Sequence, residues 1–163
     1  SMITGACVSM SLPPAEIRQF RTSDAEACSG IIRKCIKTDA STAPALRENL
    51  IRLESPESMW ERSRLFYVVV YLSGGRPAGV AGIDWNEIRL LFVDPPLQRN
   101  GIGGALLHHL ESTVPSGLFS DIFVYAMPGA AEFYHSHGYR AKGEHVFRVA
   151  GQNLATVFMA KRI

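Results

Sequence analysis

The stretch Phe92–Ser112, FVDPPLQRNGIGGALLHHLES, sets an apolar strand end, a pair of prolines, a Gln-Arg pair and a run of glycines before an amphipathic helical segment. A glycine-rich turn between a strand and a helix can be a turn and nothing more. Gln98 and Arg99, at fixed offsets from Gly101 and Gly103, narrow that reading. Consecutive N–H groups at a helix start form a cradle for anionic oxygens, and glycines let those oxygens approach. Two familiar phosphate loops do not fit. No Lys-Ser or Lys-Thr follows the glycines, which removes the nucleoside-triphosphate loop. The dinucleotide fingerprint is met at Gly101 and Gly103, with Asp121 near the place of a ribose-binding acid, but Leu106 stands where the third glycine belongs. The strands upstream also read as a hairpin meander, not as the first half of a βαβ unit.

Working outward, Leu106, Leu107, Leu110 and Val114 form the buried stripe of a helix from Ile102 to about Val114, which leaves His108 toward solvent. Upstream, LFYVVVYL (65–72), PAGVAGID (77–84) and EIRLLFV (87–93) are strands separated by the turns SGGR and WN. Downstream come a strand DIFVYAM (121–127), a short helix 130–137, and two closing strands near 139–149 and 154–161. The first third offers a short strand at Ile17–Phe20 and a capping box of Ser23 with Glu26. A helix then buries Cys28, Ile31, Ile32, Cys35 and Ile36 on one stripe. A second helix spans Thr42–Glu54 and is stopped by Pro56.

The totals bound what this chain can be. Its 163 residues, 47% of them hydrophobic, suit one domain at 15–163 behind a loose leader at 1–14, with Ser1 before Met2 reading as a cloning scar. A formal charge of +2 leaves no electrostatic footprint for nucleic acid. The densest apolar run, Leu65–Leu72, is far short of the about 20 residues a membrane span takes, and no cationic side chain precedes Arg18 as a secretory signal would require. Three cysteines without metal-ligand spacing predict no disulfide framework, no metal site and a reducing, cytoplasmic setting, and the helix stripe makes Cys28 and Cys35 packing thiols.

The second deciding stretch is AAEFYHSHGY (130–139). Together with VDPPLQRNGIGGALL it resembles the GNAT superfamily of acyl-CoA-dependent N-acyltransferases. The first motif is similar to V-x-P-x-x-Q-R-x-G-x-G-x-A-L at Val93, Pro95, Gln98, Arg99, Gly101, Gly103, Ala105 and Leu106. The second is similar to A-x-x-F-Y-x-x-x-G-[FY] at Ala130, Phe133, Tyr134, Gly138 and Tyr139. The resemblance implies an α/β (α+β) fold whose mixed, mostly antiparallel sheet of about six or seven strands is flanked by helices, with a splayed parallel pair holding the cofactor.

It also implies the chemistry. The cosubstrate is acetyl-CoA and the activity is transfer of its acetyl group to a primary amine of a small molecule or peptide, with no nucleic acid or membrane partner. The pyrophosphate cradle falls on Gln98, Arg99, Asn100, Gly101, Ile102, Gly103, Gly104 and Ala105, and a backbone N–H at Phe92 or Val93 faces the thioester carbonyl. Tyr134 is the expected general acid, its alternative being a core aromatic beside Phe133. Asp84 and Glu87 flank the turn into the cofactor strand and are candidate bases, or else solvated hairpin charges. His135, His137 and His145 read as surface residues. Acceptor choice falls to residues 37–64, where Glu48, Glu54, Glu57 and Glu61 either draw in a cation or solvate a helix. Many relatives carry Asn or Ser where this chain has Met127 before Pro128, so a polar contact to the pantetheine arm is missing. A non-catalytic acyl-CoA-binding module is the competing reading, and the chain is expected as a monomer or as a homodimer through edge pairing or exchange of its last hairpin.

Overall fold

The computed structural model describes residues 15–163; the expected leader lies outside them. One sheet of seven strands runs in the order β1-β2-β3-β4-β5-β7-β6, with β1 Glu16–Gln19, β2 Tyr67–Ser73, β3 Arg76–Asp84, β4 Glu87–Val93, β5 Asp121–Ala126, β6 Arg140–Val149 and β7 Gln152–Arg162. Every neighbouring pair is antiparallel except β4 with β5.

The unbroken apolar run of β2 is explained by burial on both faces. Val68, Val70 and Leu72 join Cys28 and Ile32 of α1 (Ala25–Thr38) and Met59 of α3 (Pro56–Leu65) in one core. Val69 turns to the other face, where Leu106, Leu107 and Leu110 of α4 (Ile102–Thr113) are fully buried with Ile122 and Tyr139. Each such leucine contributes about 1.5–3 kcal/mol by leaving water. α2 (Pro44–Leu53) lies against α1, and α5 (Ala131–Ser136) leads into β6. Among the described residues no helix is long and apolar enough to cross a membrane.

Two local expectations are corrected. Pro56 does not merely stop α2, which already ends at Leu53; it occupies the first turn of α3, where a missing N–H costs nothing. Ser55 caps that helix by accepting from the Ser58 N–H at 3.1 Å. The Ser23–Glu26 capping box is absent as well. Asp24 does the work instead, accepting from the Arg21 N–H at 2.8 Å and from both terminal nitrogens of Arg18 at 2.7 and 2.9 Å. A buried carboxylate that gathers a guanidinium outcompetes a serine hydroxyl for the turn.

Candidate active site: a splayed strand pair and an amide cradle

β4 and β5 are hydrogen-bond partners only where Glu87 meets Phe123 and Ile88 meets Val124, yet both strands continue past that point. They diverge, and the gap between them opens into a cleft of about 500 Å³ lined by Leu91, Val93, Tyr125, Met127 and Tyr134 among others. A bulge helps to turn β4: Gly82 pairs Leu90 but Ile83 pairs Ile88, so Arg89 is the extra residue.

The strand repeat decides which amides face the gap. The Asp94 N–H donates to the Ala78 carbonyl of β3 at 2.8 Å, so Phe92, two residues earlier, also faces β3, while Leu91 and Val93 face the gap. The Val93 carbonyl agrees, since it accepts from the Gln98 amide at 3.0 Å and from the Cys35 thiol at 3.1 Å and not from β3. Of the two amides expected at the thioester, Val93 therefore points into the gap and Phe92 away from it. Leu91 was not anticipated; bulge and alternation are visible only once the strand pairing is known.

Beyond Val93 the chain makes a 3-10 turn, Pro95–Leu97, and then reverses at Arg99 (φ 66) and Gly101 (φ 82) to enter α4. Asn100 ties the loop to itself by donating to the Leu97 carbonyl at 3.2 Å. The Gln98 N–H is used within the turn and the Ala105 N–H starts the helical ladder on Gly101. The intervening N–H groups, Arg99 to Gly104, find no acceptor among the described residues, and they lie at the helix start, where the dipole is positive. Free N–H groups at a helix start suit an anion. Their chemistry fits a pyrophosphate, and the adjacent gap fits an extended arm.

The second motif locks onto the first. A Cβ on Gly103 would lie 3.2 Å from the Phe133 ring, so any side chain there would have to displace that ring by a few tenths of an ångström. His137, expected at the surface, is half-buried over Gly104 and hydrogen-bonds through Nδ1 with the Phe133 carbonyl at 2.9 Å. Tyr139 is fully buried and donates to Glu111 of α4 at 3.0 Å. Between these anchors Tyr134 is buried and lines the cleft. Burial alone acts on its phenol and pushes it above the usual value, so the hydroxyl keeps its proton at neutral pH.

The carboxylates are placed differently. Glu87 and Asp84 sit at the closed end of the strand pair, each 3.8 Å from Arg89; Arg89 lines the cleft, whereas Asp84 borders a separate hollow with Trp85. Asp39 lines the cleft but is occupied by the Ser41 N–H and hydroxyl at 2.9 and 2.5 Å and by Thr42 at 2.9 Å. Glu54 neither draws in a ligand nor solvates a helix, because it is buried and paired with Arg62. His108 and His145 are exposed, as expected. Among the described residues no cluster of His, Cys, Asp and Glu is arranged to hold a metal ion.

The parted sheet and the free N–H groups beside it belong to one cleft region at the start of α4. Residues 39–162 match the family model of the acetyltransferase (GNAT) domain, and the chain belongs to that family. Solved structures share the fold. The GCN5-related N-acetyltransferase of Rhodopseudomonas palustris is 22% identical with a TM-score of 0.85, over 94% of this chain and 99% of that one. The PaiA N-acetyltransferase of Thermoplasma acidophilum, solved with coenzyme A, is 20% identical with a TM-score of 0.69 over 93% and 100%. A phosphinothricin acetyltransferase of Sinorhizobium meliloti, solved with acetyl-CoA, is 20% identical with a TM-score of 0.71 over 91% and 88%. No curated protein matches the sequence significantly.

Proposed function

We propose that this chain is an N-acetyltransferase that passes an acetyl group from acetyl-CoA to a primary amine of a small molecule or peptide. The observation that carries the reading is the run of unpartnered N–H groups from Arg99 to Gly104 directly beside the gap between β4 and β5. When bound, acetyl-CoA supplies an activated acyl group and a sulfur leaving group. The cradle holds the pyrophosphate, and the glycines at 101 and 103 keep side chains out of its way. Gln98 braces the loop by fixing the Val93 carbonyl, and the Val93 N–H faces the thioester carbonyl oxygen while the Leu91 N–H, about 6.6 Å back along the strand, faces another part of the same gap.

Tyr134 keeps its proton until charge builds on the sulfur, then donates to it as general acid. Removal of a proton from the incoming ammonium falls to Glu87, acting through water from the closed end of the strand pair where its contact with Arg89 is long; Asp84, the other candidate, borders the separate hollow beside Trp85, and Asp39 is held by Ser41 and Thr42. Met127 lines the cleft without offering a polar group, so the arm is oriented by backbone groups alone at that point.

A non-catalytic acyl-CoA-binding module is the second reading, favoured by the lack of an unengaged carboxylate lining the cleft among the described residues. Free-thiol release across a panel of primary amines separates the two. Tyr134→Phe is expected to lower kcat about 10²-fold or more with acetyl-CoA affinity unchanged. Equal loss of both, or no turnover in the parent protein, would favour the binding module. In thermal unfolding acetyl-CoA raises the midpoint and NADH does not.

A further inference from the structure

Helices α1 and α3 cover one sheet face over β2, β3 and β4, but the core they build includes no residue of β5, β6 or β7. On that uncovered part the side chains are aromatic. Tyr125 of β5 lies 5.2 Å from Phe158 of β7, and 5.1 Å from both His145 and Phe147 of β6, measured between ring centroids. Phe123 continues the row at 5.6 Å from Phe158. Phe147 is 36% exposed, so the row is open to solvent at its outer end. It is also continuous with the cleft, because Tyr125 lines both and Leu154, another cleft residue, is the cross-strand partner of Phe147.

Charge narrows what this floor can receive. The opposite wall of the cleft carries Arg89, and the carboxylates near it are engaged: Asp39 with Ser41 and Thr42, Glu87 and Asp84 with Arg89 itself. A polyamine or another acceptor with several ammonium groups finds no free carboxylate here and meets a guanidinium. A flat apolar body finds edge-to-face partners and leaves water on binding.

We propose that the acceptor is an arylalkylamine, a primary amine carried on an aromatic body that stacks on the Tyr125–Phe158–Phe147 floor while its amino group enters the gap toward Val93. The inference rests on the acetyltransferase reading above. It concerns only the acceptor half of the cleft and is independent of which group removes the proton.

Free-thiol release with phenylethylamine, tryptamine, spermidine and lysine at saturating acetyl-CoA tests it, alongside acetyl-CoA binding by calorimetry. The aryl amines are expected to exceed spermidine and lysine in kcat/KM by about tenfold or more. Phe147→Ala, a change at a partly exposed edge-strand position, raises KM for the aryl amines several-fold while the acetyl-CoA dissociation constant stays in place. Tyr125→Ala does so more strongly, and Tyr125→Phe restores the parent value. Preference for spermidine or lysine overturns the proposal. So does a dimer in light scattering that Phe147→Ala splits without changing amine preference, since a second copy would then occupy the floor. Turnover of none of the four amines with acetyl-CoA still bound also overturns it, whereas failure of acetyl-CoA to bind removes the acetyltransferase reading beneath it.

Discussion

Gly103 of the loop helix faces Phe133 of the second motif so closely that a Cβ would sit 3.2 Å from the ring edge and 3.7 Å from Val93. The two motif stretches of sequence are thus one packed unit, in which an aromatic on α5 packs against the helix start that carries the free N–H groups. Gly103→Val is expected to push Phe133 aside, costing about 1–3 kcal/mol of stability and weakening acetyl-CoA binding in the same variant. Thermal unfolding and calorimetry read the two effects. A variant as stable as the parent that binds acetyl-CoA equally well would contradict the coupling.

Asp24 fixes the entry to α1 through Arg18 and the Arg21 N–H. Burial works against its charge, but the guanidinium and the backbone donor more than offset it and hold the carboxyl below its usual value. A carboxyl depressed in the folded state contributes stability that is present above its unfolded pKa, about 3.9, and is lost as pH falls through the folded value. Asp24→Asn should therefore cost about 1–3 kcal/mol at pH 7, with the gap to the parent closing only below about pH 4. Denaturant midpoints at several pH values check it.

Cys35 and Cys28 share a helix stripe but differ in access. Burial pushes the Cys35 thiol up to about 11 and the Cys28 thiol up to about 12, and Cys28 is fully enclosed while Cys35 lines the cleft. In a Cys7→Ser background, iodoacetamide is expected to leave Cys28 untouched and to alkylate Cys35 about 100-fold more slowly than free cysteine at pH 8. The Cys35 rate should rise roughly tenfold per pH unit toward its pKa, and coenzyme A should protect it. Peptide mass spectrometry over a pH series gives the rates.

Much of this was legible in sequence because the signals are local. The β2–β4 meander follows from alternation and turn residues, and α4 from the spacing of Leu106, Leu107 and Leu110. Gly101 and Gln98 mark a constrained loop in the sequence itself. What escaped depends on partners distant in the chain. Pro56 reads equally as a stop and as a first-turn residue, and only Ser55 accepting from Ser58 settles it. Ser23 lost its cap to Asp24 because Arg18 arrives from β1. His137 looked exposed by helical position, yet the glycine at 104 leaves it a seat. The Arg89 bulge carries no glycine and gives no sequence sign; it determines that Leu91 and Val93, not Phe92, face the gap.

Backbone amide shifts during titration with coenzyme A test the central claim most directly. The account predicts the largest changes at Arg99 to Gly104, with a second group at Leu91 and Val93. Saturation that leaves those amides in place, or shifts concentrated in the hollow beside Trp85, would contradict it.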